Sequence, residues 1–397
     1  MIKSEVLELR KRFAKEKATF DSLAGCYVDS SKNKVCKFQG SFLTLGEDVF
    51  FKYLDIAKKS LSGAMGNNLL EYEFPNEEEA VGGKQQALMA LRDAPKSDAL
   101  LDVYYDHIIS TYETPDNYLI LVFHDNYDVM AKSEAKQSQG ESEEVFEYLL
   151  IAICPVSLDK PALHYSSDVQ NIEPRERDWI VGAPETALLF PSFTDRSTDI
   201  HSCLVYSKNP KEQHKEFVEN GLGCDVVKTT DEIREEFYNV IRSNFDDEAK
   251  GNKAVLSAVK DINDIMICNY NVNNRPSEIT ADDIKDMLSD DNRFSEAIVA
   301  NIAEAYDKTF TEKLSANAII DEGLLKRSEE TLHILELEDS IVELNKMLKV
   351  SIPEGIVEVK APDEVSDKIC MKEIDGIKYI IIPADVIDIV VNGISVN

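Results

Sequence analysis

The segment Phe123-His-Asp-Asn-Tyr-Asp128 carries His124, Asp125 and Asp128 directly after an apolar run. An imidazole and two carboxylates delivered by a strand end to a loop are the material of general acid–base catalysis or of a divalent-metal site. A second polar set comprises Asp178, Trp179, Glu185, Asp195, Arg196, Asp199 and His201, in turns between apolar segments. If the sheet brings His124 and His201 to one end, Asp199 completes a nitrogen and oxygen ligand set for a divalent cation. The competing reading is structural. HDxxD then forms an acidic turn, and Arg196 pairs with Asp195 and Asp199 to hold its own turn.

Other chemistry is weaker. The glycine loop at residues 62–68, next to Lys58 and Lys59, follows a helix and so meets its negative end. Phosphate loops need the positive end, so the lysines are read as last-turn residues complementing the dipole. GxxxxGK[ST], GxGxxG, GxSxG and HExxH are all absent from the sequence.

The elements that must position these residues follow from periodicity. Residues 4–15 read as a short helix with Ser4 as N-cap. Residues 24–28 and 34–38 flank Asp29-Ser-Ser-Lys-Asn33 as a hairpin. Phe50, Leu54, Ala57 and Leu61 mark one face of a helix beginning near Glu47, and two more helices are expected at 77–92 and 97–112. Residues 118–123 and 146–154 are near-continuous apolar runs of strand length, so both faces must be covered. The polar stretch 131–144 between them reads as a surface loop. Further strands are expected at 179–181, 188–190 and 200–206, in a mainly antiparallel arrangement.

After residue 210 helical stripes return. They are Ile233/Phe237/Val240/Ile241, Val255/Val259/Ile262/Met266 and Ile298/Ile302/Ala305/Tyr306. Residues 323–350 read as one long helix, with Ile334, Leu337, Ile341, Leu344 and Leu348 in a short heptad rhythm that could form a dimer seam. Strands at 356–359, 369–374 and 377–382 make a small terminal β unit, with Asp375-Gly376 at a hairpin turn. The expected architecture is α+β: a mixed domain with a mainly antiparallel central sheet (1–245), a helical segment (246–350) and a small C-terminal β unit (351–397).

Charge bounds the partners. The chain has 397 residues, 43 Lys plus Arg and 74 Asp plus Glu, for a net charge of −31. Such a field repels phosphate polymers and anionic membranes. Residues 1–60 carry twelve Lys/Arg against eight Asp/Glu, a local +4, which leaves −35 on the other 337 residues. Nucleic acid is therefore excluded except through the first 60 residues. Arg10, Lys11 and Arg12 with Phe13 are the basic cluster where an acidic partner could dock. The seven cysteines form no CxxC pair, which argues against a disulfide framework or a four-cysteine zinc site. Residues 1–17 are charged and no run reaches the ~18 apolar residues of a membrane span, so a cytoplasmic protein is expected.

Several segments taken in order carry a resemblance. EVLELRKRF, GCYVD, KKSLSGAMGNNL, ALMALRD, NYLILVFHDNYDV, ICPVSLDKPAL, RDWIVGAPETALLFPSFTDRSTDIHSCLVYSK and IDGIKYIIIPAD together resemble the bacterial family named domain of unknown function 4317. The likeness runs over about residues 1–310 and 350–397, with 311–350 matching less well. It implies a cytoplasmic bacterial protein of one full-length architecture and assigns no activity and no catalytic residue.

The leading expectation is a non-enzymatic binding or scaffold protein with a protein partner, at residues 10–12 or on the 323–350 helix, where a homodimer could also form. The alternative is a hydrolase, metal-dependent or not, using His124, Asp125, Asp128, Asp199 and His201. A third is an acidic mimic of nucleic acid. No cofactor is expected beyond a divalent metal in the hydrolase reading.

Overall fold

The computed structural model describes residues 1–14, 17–130, 142–273, 278–289, 295–310, 314–319, 346–352, 355–361, 370–374, 377–381, 390–391 and 394–395. Two compact units divide the chain, Met1–Ile233 and Arg234–Asn397.

The first unit is built on one antiparallel sheet. Its elements in chain order are α1 (Lys3–Arg12), β1 (Ser22–Val28), β2 (Lys34–Ser41), α2 (Glu47–Lys59), β3 (Leu69–Glu73), α3 (Asn76–Glu79), α4 (Lys84–Asp93) and α5 (Asp98–Thr111). They continue with β4 (Asn117–Met130), β5 (Ser142–Leu158), β6 (Leu163–Ser166), β7 (Asn171–Pro174), β8 (Trp179–Val181), β9 (Thr186–Phe190), β10 (Ser192–Thr194), β11 (Ser197–Asp199) and β12 (Ser202–Ser207). The strand order is β2-β1-β4-β5-β9-β12-β3, with β8 pairing on β5, so the expected α+β architecture holds.

The two apolar runs form the middle of the sheet because both of their faces find cover. On β4, Tyr118, Ile120 and Val122 join one core with α4 and α5. Leu119, Leu121 and Phe123 join the other, with α1 and α2. β5 alternates the same way, with Leu149, Ile151 and Ile153 on the first side and Leu150, Ala152 and Cys154 on the second. A period of two with apolar residues at every position requires this double covering.

Four local expectations change, the first being the helix expected at 77–92, which is broken into α3 and α4 by a turn with Gly82 at φ 93°. α1 starts at Lys3 rather than at a Ser4 cap, because the Glu5 carboxylate accepts the Ile2 N–H at 2.7 Å and takes over the capping. β4 does not end at Phe123. It runs on to Met130 because β5 extends to meet it, pairing Asp128 with Val145 and Met130 with Ser142. Of the expected loop 131–144, residues 142–144 are therefore strand, and 131–141 lie outside the described residues.

The second unit holds α6 (Thr230–Arg242) from Arg234 onward, α7 (Glu248–Asn273), β13 (Glu278–Ile279), α8 (Ala281–Ser289), α9 (Glu296–Thr309), β14 (Leu314–Ser315) and α10 (Ala316–Ile319). Phe237, Val240, Ile241, Val255, Val259, Ile262, Ile302 and Tyr306 share its core, as the stripes require. Four short strands follow, β15 (Lys346–Ile352) with β16 (Gly355–Ala361) and β17 (Cys370–Ile374) with β18 (Ile377–Ile381). β19 (Val390–Val391) and β20 (Ile394–Ser395) pair last. Ile334, Leu337, Ile341 and Leu344 lie outside the described residues. Leu348 lies in β15 opposite Val359, not in a helix. The alternation of Met347 to Ile352 and the tight connection pairing Ile352 with Gly355 favour a hairpin over the last helical turn.

Phe123 is fully buried and stands 5.2 Å from the Phe20 ring and 6.0 Å from the Phe42 ring. Phe123→Ala is expected to cost about 3–5 kcal/mol, read from the urea midpoint of the full chain.

Candidate functional site

Adjacent residues on a strand point to opposite faces, so His124 and Asp125 cannot serve one site from the middle of β4. Both are buried, at 3% and 1% exposure. Asp125 takes three donors on the α1 side. Tyr148 Oη donates to Oδ2 at 2.8 Å, Thr19 Oγ1 to Oδ1 at 2.8 Å and Arg12 Nη2 to Oδ2 at 3.2 Å. Arg12 also donates to Thr19 and lies over the Tyr127 ring at 4.1 Å. Burial, with the neighbouring Asp125 charge, pushes the Tyr148 phenol well above its ordinary range. This is a satisfied buried carboxylate, and it uses Arg12, one of the three basic residues expected to face a partner. Lys11 is exposed and Arg10 half-buried.

His124 looks the other way. Its Nε2 is 2.9 Å from Glu147 Oε1, and its Nδ1 is 3.7 Å from Asp21 Oδ2. Asp128 is exposed on the same strand.

Asp199 and His201 sit at the far side of the sheet. Asp199 accepts the Ser202 hydroxyl at 2.7 Å and the His201 N–H at 3.0 Å. His201 is exposed and its Nδ1 is 2.7 Å from Glu79 Oε1. His124 stands opposite Leu149, Leu149 opposite Phe190, and Leu189 opposite Leu204. Three strand spacings separate β4 from β12, about 14 Å at about 4.8 Å each. The two histidines therefore do not converge on one ion. Among the described residues no group of three or more His, Cys, Asp and Glu is placed to hold a metal.

Arg196 corrects another expectation. It lies with Asp195 at the tip of the β10–β11 hairpin, both at positive φ (53° and 59°), as a two-residue turn of the I′ kind demands. Its guanidinium donates to Glu8 on α1, at 2.8 and 3.2 Å, so its partner comes from across the chain as well as from any neighbour. Glu5 accepts the Arg196 N–H at 3.3 Å. Glu5 and Glu8 are three apart on one helix face, and they hold a tip whose conformation side chains resist.

A concave site was missed by sequence reasoning. A cleft of about 540 Å³ opens where the segment before β4, the start of β9 and the turn after β12 meet. It is lined by Glu113, Asp116, Glu185, Glu212, Lys208 and His214, among others. His214 Nε2 is 2.9 Å from Tyr112 Oη, with ring centroids 4.2 Å apart. Tyr112 Oη is 3.3 Å from Thr186 Oγ1. Burial lowers the His214 pKa against the raising influence of Glu185, Glu216 and Glu212. Only Glu185 had drawn notice in the sequence. The other lining residues come from turns with no shared motif.

A family model described as domain of unknown function (DUF4317) matches residues 1–394. The chain belongs to this family. The matched span includes residues 311–350. No curated protein matches the sequence. Among the described residues no helix of this DUF4317 member is long and apolar enough to cross a membrane.

Two expectations follow. Asp125→Ala leaves Arg12 and the Tyr148 hydroxyl without their buried acceptor, and is expected to cost about 3–5 kcal/mol, with amide exchange accelerating first in α1. In a histidine NMR titration, His201 titrates above its ordinary 6.5 because Glu79 hydrogen-bonds the cation, and His214 titrates below it because burial opposes the charge. The signs oppose each other. The His201 contribution to stability is present below pH 6.5 and is lost as pH rises through its raised pKa. That of His214 is present above pH 6.5 and is lost as pH falls towards its lowered pKa. Glu79→Gln lowers the His201 pKa back towards its ordinary value, with Asp199 still raising it.

Proposed function

We propose that the protein is a non-enzymatic binding protein, and that it takes an extended segment of a partner protein, β-branched at its centre and acidic at its flanks, onto the outer edge of β2. One observation carries the reading. β2 is an eight-residue strand at the end of the sheet order, seven of its residues are exposed, and among the described residues no strand pairs with its outer edge. Edge backbone of that length offers a row of N–H and C=O groups to an added strand.

Local charge selects the partner. From Ser30 to Gly46 the chain has Lys32, Lys34 and Lys37 and no Asp or Glu, within a molecule of −31. A shift in register between Tyr27 and Val28 places Lys34 opposite Val28 and Lys37 opposite Cys26, on one face, where both reach Asp102 at 2.7 and 3.0 Å. Val35 and Phe38 remain exposed at 55% and 36% as apolar contacts. A second copy is a poorer occupant, since it brings another −31 to the encounter. The hydrolase reading has less support, because each of its buried residues is engaged by structural partners.

The probe is a synthetic strand of alternating valine and threonine with glutamates at both ends. Amide exchange is expected to slow across β2 on its addition. Val35→Pro is expected to abolish this protection and Lys37→Glu to weaken binding about tenfold. Protection elsewhere with none at β2, or a dimer by sedimentation that Val35→Pro dissolves, overturns the reading.

A further inference from the structure

We propose that the cleft around His214 is a binding site for a small organic cation bearing a primary amine. The cleft belongs to the first unit and shares no lining residue with β2, and the proposal stands independently of the partner assigned to that edge.

Size is the first argument. About 540 Å³ falls within the range of small-ligand sites and is too large for a lone ion. Charge is the second. Four carboxylates, Glu113, Asp116, Glu185 and Glu212, line the cleft against one ammonium, that of Lys208. Lys208 donates its backbone N–H to the Glu185 carbonyl at 2.8 Å, which fixes the turn, and among the described residues none of the four carboxylates stands in an ion pair. Lysines elsewhere on this unit do reach carboxylates. Lys34 reaches Asp102 and Asp106, Lys84 reaches Glu78, and Lys96 reaches Asp21.

The imidazole is the third argument, because it is built rather than incidental. Tyr112 is 1% exposed, carries the ring of His214 against its own at 4.2 Å and holds Nε2 at 2.9 Å. Thr186, equally buried, closes the chain behind it at 3.3 Å. The Tyr112 and Thr186 hydroxyls each donate and accept, so the chain can run in either direction. An ammonium selects one direction. Nε2–H then donates to Tyr112 Oη, the tyrosine donates to Thr186, and Nδ1 is left as the acceptor. A neutral alcohol of the same length can donate hydrogen bonds to the four carboxylates but gains no charge attraction from them.

The test uses the full chain with 1,4-diaminobutane as probe and 1,4-butanediol as its uncharged counterpart. The diamine is expected to shift the His214 ring resonances saturably, with the nitrogen shifts moving towards the Nε2–H tautomer, while the diol leaves them in place. The double variant Glu185→Gln/Glu212→Gln is expected to weaken binding about tenfold, with Glu77→Gln on the distant α3 unchanged. His214→Gln, which keeps the volume and polarity, serves where the double variant unfolds. It is expected to weaken the diamine as read by calorimetry. Equal weakening by Glu77→Gln shows diffuse attraction to a −31 molecule and overturns the proposal. So does a His214 signal that stays unmoved at millimolar diamine.

Discussion

A carboxylate buried to 1% exposure in a sheet interior must be met by donors, and the Asp125 carboxylate organises one end of this molecule. Its three donors come from three places: Arg12 at the end of α1, Thr19 in the connection after it, and Tyr148 on the neighbouring strand. Meeting them draws α1 down onto the sheet. Once there, α1 presents Glu5 and Glu8 to the hairpin tip at Asp195 and Arg196, where two side-chain-bearing residues sit at positive φ. The helix and the hairpin are thus held by one chain of charge-assisted hydrogen bonds that begins at Asp125.

The same network redistributes the charge of the first 60 residues. A local +4 looks like a surface for an anionic partner, yet Arg12 turns inward to Asp125 and stacks on Tyr127. On β2, Lys34 and Lys37 share Asp102 of α5. Arg196 is likewise drawn to α1. Cations that a count assigns to the surface are drawn to carboxylates of the same unit, while among the described residues the four carboxylates of the His214 cleft stand in no ion pair.

Periodicity made much of the fold legible. The runs at Tyr118–Phe123 and Phe146–Cys154 announced doubly covered central strands because no polar position interrupts them. The Asp29 to Asn33 turn announced the first hairpin because Asp29 accepts the Ser31 and Asn33 N–H groups, which also lowers its pKa. Polar residues inside a strand were harder. His124, Asp125 and Asp128 read as a loop because alternation of apolar residues stops there, whereas the ladder to β5 goes on through backbone groups that carry no sequence signal. The heptad rhythm failed at Leu348 for a related reason. Leu348 also opens an alternation with Val350 and Ile352 that suits one face of a strand, and pairing with β16 decided for the strand there.

By itself, the sequence determined the class of the fold, the strands at its centre, the family and the strongly acidic character, since these depend on composition and on period along the chain. Tertiary structure alone decided which polar residues meet. The order β2-β1-β4-β5-β9-β12-β3 separates His124 from His201 by three strand spacings, and it brings Tyr112, Thr186, Lys208 and His214 together from four turns and strand ends. Side chains distant in sequence share a site only through strand order, and strand order is set by how apolar faces are covered rather than by any spacing between the polar residues themselves.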